Sequence, residues 1–144
     1  MKPNIENMLK MFAKIRKYYA KKLHERFKEV ELSPNEINIL IVLSNNPNIT
    51  TSSELIAVLD VSKGLVSRSI DHLVKMNILC LKQDKKDRRV IHLCLTREGQ
   101  ELMVTLNQAI KEINEEMFSH IPSEELKELE VTTKKIIAYF EMED

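Results

Sequence analysis

Residues 51–96 read TSSELIAVLDVSKGLVSRSIDHLVKMNILCLKQDKKDRRVIHLCLT. Thr51-Ser52-Ser53-Glu54 has the form of a capping box, in which a hydroxyl and a glutamate three residues on satisfy orphan helix amides. It predicts a short helix through Leu59, with Leu55, Val58 and Leu59 facing inward. Asp60-Val61 makes a brief turn. Ser62 then caps another helix, whose Leu65, Val66, Ile70, Leu73 and Met76 recur at helical spacing. Helix, short turn and helix make a helix-turn-helix unit. Asn77 tolerates the left-handed backbone that ends a helix, and beyond it the period changes from 3.6 to 2. Leu79 and Leu81 alternate with Cys80 and Lys82; Ile91, Leu93 and Leu95 alternate with His92 and Cys94. Two alternating strands around the charged tip Gln83–Arg89 predict a β-hairpin.

Outward from this stretch the chain reads as helix. Ser33-Pro34-Asn35-Glu36 is a second capping box with proline at the first helical position. It opens an apolar helix, Ile37 to Leu43, that ends in the breaker cluster Ser44–Asn48. Asn4 to about Glu29 predicts one long helix with Ile5, Met8, Phe12, Ile15, Tyr19, Leu23 and Phe27 on one stripe. After Thr96, Leu102, Leu106, Ile110, Ile113 and Met117 form another stripe, broken at Ile121-Pro122. Ser123-Glu124-Glu125 caps a last helix carrying Leu126, Leu129, Thr133, Ile136, Ile137 and Phe140. Two glycines, four prolines and no tryptophan in 144 residues fit long helices with few connections. The expected fold is mainly α (α+β): one domain, residues 1–144, with a winged helix-turn-helix core at about 33–96. The helices at about 4–29 and 97–142 are expected to serve dimerisation, because their stripes are too long to be buried within one small domain. A two-fold dimer sets two such cores about one DNA turn, roughly 34 Å, apart.

Several function classes are disfavoured. No run of about 18 apolar residues spans a bilayer, and Met1-Lys2-Pro3-Asn4 lacks signal-peptide features, so no membrane partner is expected. Two cysteines, Cys80 and Cys94, are too few for a disulfide framework, which points to a reducing cytoplasm. His24, His72, His92 and His120 lack metal-ligand spacing. With no nucleophile–base pairing and no glycine-rich phosphate loop, neither an enzyme nor a cofactor is expected.

The formal net charge is zero, yet it is unevenly spread. Residues 62–92 carry eight Lys/Arg against three Asp, a net of +5, whereas residues 93–144 carry five against twelve acidic, a net of −7. The central segment would draw an anionic partner, and the acidic part would repel one. A helix-turn-helix followed by a basic hairpin predicts double-stranded DNA, with the second helix in the major groove and the wing at the flanking minor groove. On that helix Ser62, Lys63, Gly64, Ser67, Arg68 and His72 are the outward residues; arginine can grip guanine with two bonds, and Gly64 permits close approach. The hydroxyls of Thr51 and Ser52 suit a phosphate at a helix N-terminus. On the wing, Lys82, Lys85, Lys86, Arg88 and Arg89 supply cations for a narrow minor groove, and Asp87 is expected to pair with an arginine and hold the tip's shape.

These residues resemble the multiple-antibiotic-resistance regulator (MarR) family. The likeness is carried by Thr51–Leu59, Val61–Arg68, Leu73–Leu79, Asp84–Val90 and Leu95-Thr96-x-x-Gly99, and covers nearly the whole chain. Its most specific element is Asp87-Arg88-Arg89 closing the wing. The resemblance implies a homodimeric transcription regulator, usually a repressor, acting at a palindromic operator. The family's paired wing Asp and Arg fall on Asp87 and Arg89. Asn77 stands where the family commonly has glycine, and the first helix lacks the cysteine of the peroxide-sensing branch. Members often bind a small aromatic effector. Met8, Met11, Phe12, Tyr18, Tyr19 and Met117 read either as lining for such a pocket or as plain core. Cys80 and Cys94 should lie on one face of opposite strands, as a redox switch or as two small unreactive side chains. Two alternatives to a repressor thus stand beside it: a cysteine-based redox-sensing regulator, and a winged-helix protein-interaction module without DNA binding.

Overall fold

The computed structural model describes residues 2–144, which fall into two compact units, one ending at Ala109 and the other running from Ile110 to Asp144. In chain order the elements are α1 (Ile5–Arg26), a 3-10 turn (Lys28–Val30), α2 (Pro34–Asn45), α3 (Ser52–Leu59), α4 (Lys63–Lys75), β1 (Leu79–Gln83), β2 (Ile91–Leu95), α5 (Arg97–Phe118) and α6 (Ser123–Glu141). None of the described helices is long and apolar enough to cross a membrane.

Local chemistry accounts for most boundaries. The Asn4 side chain accepts from the amides of Glu6 and Asn7 and starts α1. The helix stops at Arg26, short of the expected Glu29, because Phe27 leaves helical geometry (φ −120°) to bury its ring. A left-handed Glu31 then turns the chain into α2. There Ser33 and Glu36 form a complete capping box around Pro34. Thr51 and Ser62 accept from the third amide of α3 and α4, and left-handed Asp60 ends α3. Asn77, at φ 59°, follows α4 and starts the wing. At α6 the expected Ser123 cap is absent: Ser123 is already helical, and Pro122, with no side-chain hydrogen bond, occupies the cap.

The core of the first unit is formed by Ile37, Ile39 and Leu40 of α2, Leu55 of α3, Val66, Ile70 and Leu73 of α4, and Leu79 and Leu93 of the strands, all at most 7% exposed. Each such aliphatic side chain contributes about 1.5–3 kcal/mol on burial. Val58, expected to face inward, is 54% exposed; α3 has only two turns, and its inner line passes through Leu55 and half-buried Leu59. Along α5 the buried line is Gly99, Met103, Leu106, Ala109 and Ile113, rotated from the expected stripe so that Leu102, Ile110 and Met117 are half-buried. Within α6 no residue is buried, and Leu129, Ile137 and Phe140 stay at least half exposed.

The strands pair antiparallel, with Leu79 opposite Leu95, Cys80 opposite Cys94 and Lys82 opposite His92. Thr96 joins wing to α5: its amide donates to Ile78 O at 3.0 Å, and its hydroxyl lies 2.6 Å from Asn77 O while accepting from Gly99 N at 2.9 Å. A Cβ on Gly99 would stand 2.2 Å from Ile78 O. The Leu95-Thr96-x-x-Gly99 motif is thus a weld between the end of α4 and the start of α5.

Candidate nucleic-acid interface

The first turns of α4 expose Ser62, Lys63, Gly64, Ser67 and Arg68 on one side, while Val66, Ser69, Ile70 and Leu73 are buried on the other. A Cβ on Gly64 would meet only Arg68 Nη1, at 3.6 Å, so nothing within the chain requires glycine there. Ser52, Lys63, Ser67 and Asp71 face the strand residues Leu81, Ile91 and Leu93 across a cleft of about 170 Å³. This is below the 300–1,000 Å³ typical of small-molecule pockets. Leu81 and Ile91 remain 51% and 42% exposed on its wall.

Two of the sequence-predicted residues are engaged elsewhere. His72 is not an unencumbered outward contact: its Nδ1 hydrogen-bonds Oε2 of Glu36, a buried carboxylate whose other oxygen accepts from Ser33 N. That tie holds α4 against the start of α2 and supplies the partner a buried carboxylate needs. The Thr51 hydroxyl accepts from Glu54 N and donates to Glu54 Oε1 at 2.8 Å. This hydrogen bond, more than the neighbouring backbone amides, lowers the Glu54 pKa, so α3 opens with a carboxylate and a committed hydroxyl. Ser52 beside it is exposed.

At the wing tip, Lys82, Lys85, Lys86, Arg88 and Arg89 are all exposed. Asp84 N donates to Val90 O, closing the loop at 2.9 Å. Asp84 Oδ2 accepts from the amides of Lys86 (3.0 Å) and Asp87 (2.9 Å), an Asx-type turn. Asp87 Oδ1 in turn accepts from Arg89 N at 3.0 Å and Arg89 Nε at 3.2 Å. The Arg89 side chain is 92% exposed, so the pair contributes little stability; it presets where the guanidinium stands. Asp84 Oδ1 also takes His92 Nε2 at 2.8 Å. That bond, ahead of the two amides, draws the Asp84 pKa from 3.8 to about 2.

Sequence reasoning missed this second role of Asp84 and missed His92 altogether. Their only trace in the sequence was period-two alternation, which puts both on one face of the hairpin. Cys80 and Cys94 do face each other, free, half-buried and with Sγ atoms 2.8 Å apart. Burial, then the neighbouring Cys80 thiol, pushes the Cys94 pKa up. Of the residues considered for an effector pocket, Met11 and Tyr18 are exposed, and Met8, Phe12 and Tyr19 are half-buried. The space beside Tyr19, between α1 and α2, is about 40 Å³, too small for an aromatic ring. Burial raises the Tyr19 pKa.

Three helices followed by a two-stranded wing define a winged helix-turn-helix protein. Residues 31–90 match the family model described as MarR family. The HTH-type transcriptional regulator YpoP of Bacillus subtilis (strain 168) is 30% identical over 112 residues, 75% of this chain and 77% of that protein. Among solved structures, a MarR transcriptional regulator from Methanosarcina mazei Go1 shares the fold with a TM-score of 0.82 at 20% identity, over 96% of this chain and 99% of that one. A MarR family regulator from Listeria monocytogenes, complexed with 26mer DNA, gives 0.80 at 22% over 96% and 89%. The mutant MarR C80S from E. coli, complexed with operator DNA, gives 0.78 at 21% over 92% and 94%. The chain belongs to the MarR family, and is therefore a transcriptional regulator rather than an enzyme.

Proposed function

We propose that the chain is a homodimeric repressor that reads a palindromic operator in double-stranded DNA and is relieved by a small-molecule effector. The observation that carries the DNA half is the exposure of Lys63, Ser67 and Arg68 on one face of α4 together with a wing tip whose Arg89 is preset by Asp87. In this reading Ser62, Lys63, Gly64, Ser67 and Arg68 meet the major groove and Ser52 a phosphate. Lys82, Lys85, Lys86, Arg88 and Arg89 serve the flanking minor groove. Thr51 and His72 support these contacts through Glu54 and Glu36 rather than making them. Two solved members of the fold are DNA complexes, which favours this reading over a protein-interaction module.

The division of labour follows the same logic. A winged core at about 33–96 reads DNA, and the helices at about 4–29 and 97–142 join two copies. The exposed apolar residues of α1 and α6 support the dimer. The working compartment is the cytoplasm, where the genome lies and free thiols persist. A second reading, redox sensing, has one observation in its favour, the facing pair Cys80 and Cys94.

The test uses a duplex recovered by the full-length protein from a random-sequence pool. Arg89→Ala should weaken binding and reduce the salt dependence by about one unit of log–log slope. Arg68→Ala should narrow the gap between that duplex and unselected DNA. Unchanged affinity and slope for Arg89→Ala would remove the wing from the interface, and equal losses of Arg68→Ala on both DNAs would assign it to phosphate.

A further inference from the structure

We propose that His92 is a positioning residue that ties the wing tip to the segment leading into α3, so that the two DNA-facing surfaces behave as one; this rests on the reading above. The wing tip has no apolar residue buried in the core, and a loop of that kind is held only by its polar contacts. Among the described residues, His92 supplies the one that reaches outside the hairpin by a side chain. On β2, with its side chain 35% exposed, it uses both ring nitrogens: Nε2 on Asp84 Oδ1 and Nδ1 on Thr50 Oγ1, each at 2.8 Å. An ionised carboxylate only accepts, so Nε2 carries a proton, and in the neutral ring Nδ1 accepts from the Thr50 hydroxyl.

The connections continue at both ends. On the wing side, Asp84 Oδ2 holds the amides of Lys86 and Asp87, and Asp87 holds Arg89. On the helix side, Thr50 O accepts from Leu93 N at 2.6 Å, and Thr50 N donates to Glu54 Oε1 of α3 at 3.4 Å. An unbroken polar path therefore runs from α3 through Thr50, His92, Asp84 and Asp87 to the Arg89 guanidinium. The hairpin strands keep their own ladder without His92. Its contribution is to the direction in which the tip points, not to whether the tip exists. A preset tip binds without first having to be ordered.

The two nitrogens can be separated by substitution. A glutamine amide nitrogen lies as far along the side chain as Nε2, and an asparagine amide only as far as Nδ1. His92→Gln should keep the Asp84 bond but lose the Thr50 bond, and so weaken binding of the selected duplex to the same extent as Thr50→Val. His92→Asn should lose the Asp84 bond, bind about tenfold more weakly and shift the salt slope toward that of Arg89→Ala. Thr50→Val cuts the other end without touching the wing and should weaken binding in the same direction. In an Arg89→Ala background His92→Asn should add almost nothing, as expected for residues acting through one contact. Urea midpoints of all variants are measured alongside. Parental affinity for His92→Asn, or an equal loss with and without Arg89, overturns the proposal. No effect of Arg89→Ala itself overturns the wing reading instead, and the positioning role with it.

Discussion

The chain has two glycines, each in the first turn of a helix and neither at positive φ, and they should respond to alanine in opposite ways. At Gly99 the new Cβ would lie 2.2 Å from Ile78 O and 3.2 Å from both Ile78 C and Leu95 Cδ2. Relief requires a shift of about 1 Å between α5 and the end of α4. The junction resists, because Thr96 binds Ile78 O through its amide at 3.0 Å and Asn77 O through its hydroxyl at 2.6 Å. Overpacking costs about 1–3 kcal/mol, and one or two strained hydrogen bonds add about 1 kcal/mol each. Alanine's better helix propensity returns at most about 1 kcal/mol. The net expectation is a loss of about 3 kcal/mol. With a urea m-value of about 2 kcal/mol/M, the unfolding midpoint should fall by about 1.5 M at fixed protein concentration. At Gly64 the added methyl meets only Arg68 Nη1 at 3.6 Å, so stability should rise by about 0.5 kcal/mol. The same methyl stands on the exposed face of α4, and affinity for the selected duplex should drop about tenfold. A Gly99→Ala midpoint at or above the parent's would refute the packing argument. Undiminished DNA affinity in Gly64→Ala would refute close approach at that position.

Two further outcomes follow from the wing. Asp84 has a folded pKa of about 2 against 3.8 when unperturbed. The support its carboxylate gives the tip is therefore complete above about pH 4 and lost as pH falls through about 2. The Lys86 and Asp87 amide resonances should titrate near 2 in the parent and show no such step in Asp84→Asn; a midpoint near 3.8 contradicts the depressed carboxyl. The Cys94 thiol, raised by burial and by Cys80, should alkylate slowly at neutral pH and faster as pH rises. Treated with a small-molecule disulfide, Cys80 and Cys94 should each give up a proton and together two electrons, forming one intrachain bond as the reagent is reduced to two thiols. Mass spectrometry should find a monomer lighter by two hydrogens; a stable mixed disulfide or a cross-linked dimer instead would show that the facing geometry does not govern the chemistry.

What this sequence determines by itself is local. Helix starts at Asn4, Ser33, Thr51 and Ser62 and the turn at Asn77 depend on hydrogen bonds and dihedrals within about four residues, so their signals lie side by side in the chain. The hairpin is equally legible, since a period of two assigns every side chain to a face. Tertiary structure decided the rest, because it brings together side chains that no spacing rule connects. His72 looks outward on a helical wheel, yet it meets Glu36, 36 positions earlier. His92 looks like an idle polar residue on an exposed strand, yet it bridges Thr50, 42 positions away, and Asp84 across the loop. Gly99 carries no local signature of its role; only the approach of Ile78 shows that a methyl group has no room there. The stretch from Thr51 to Thr96 announces two surfaces, and the contacts at His92 are what join them.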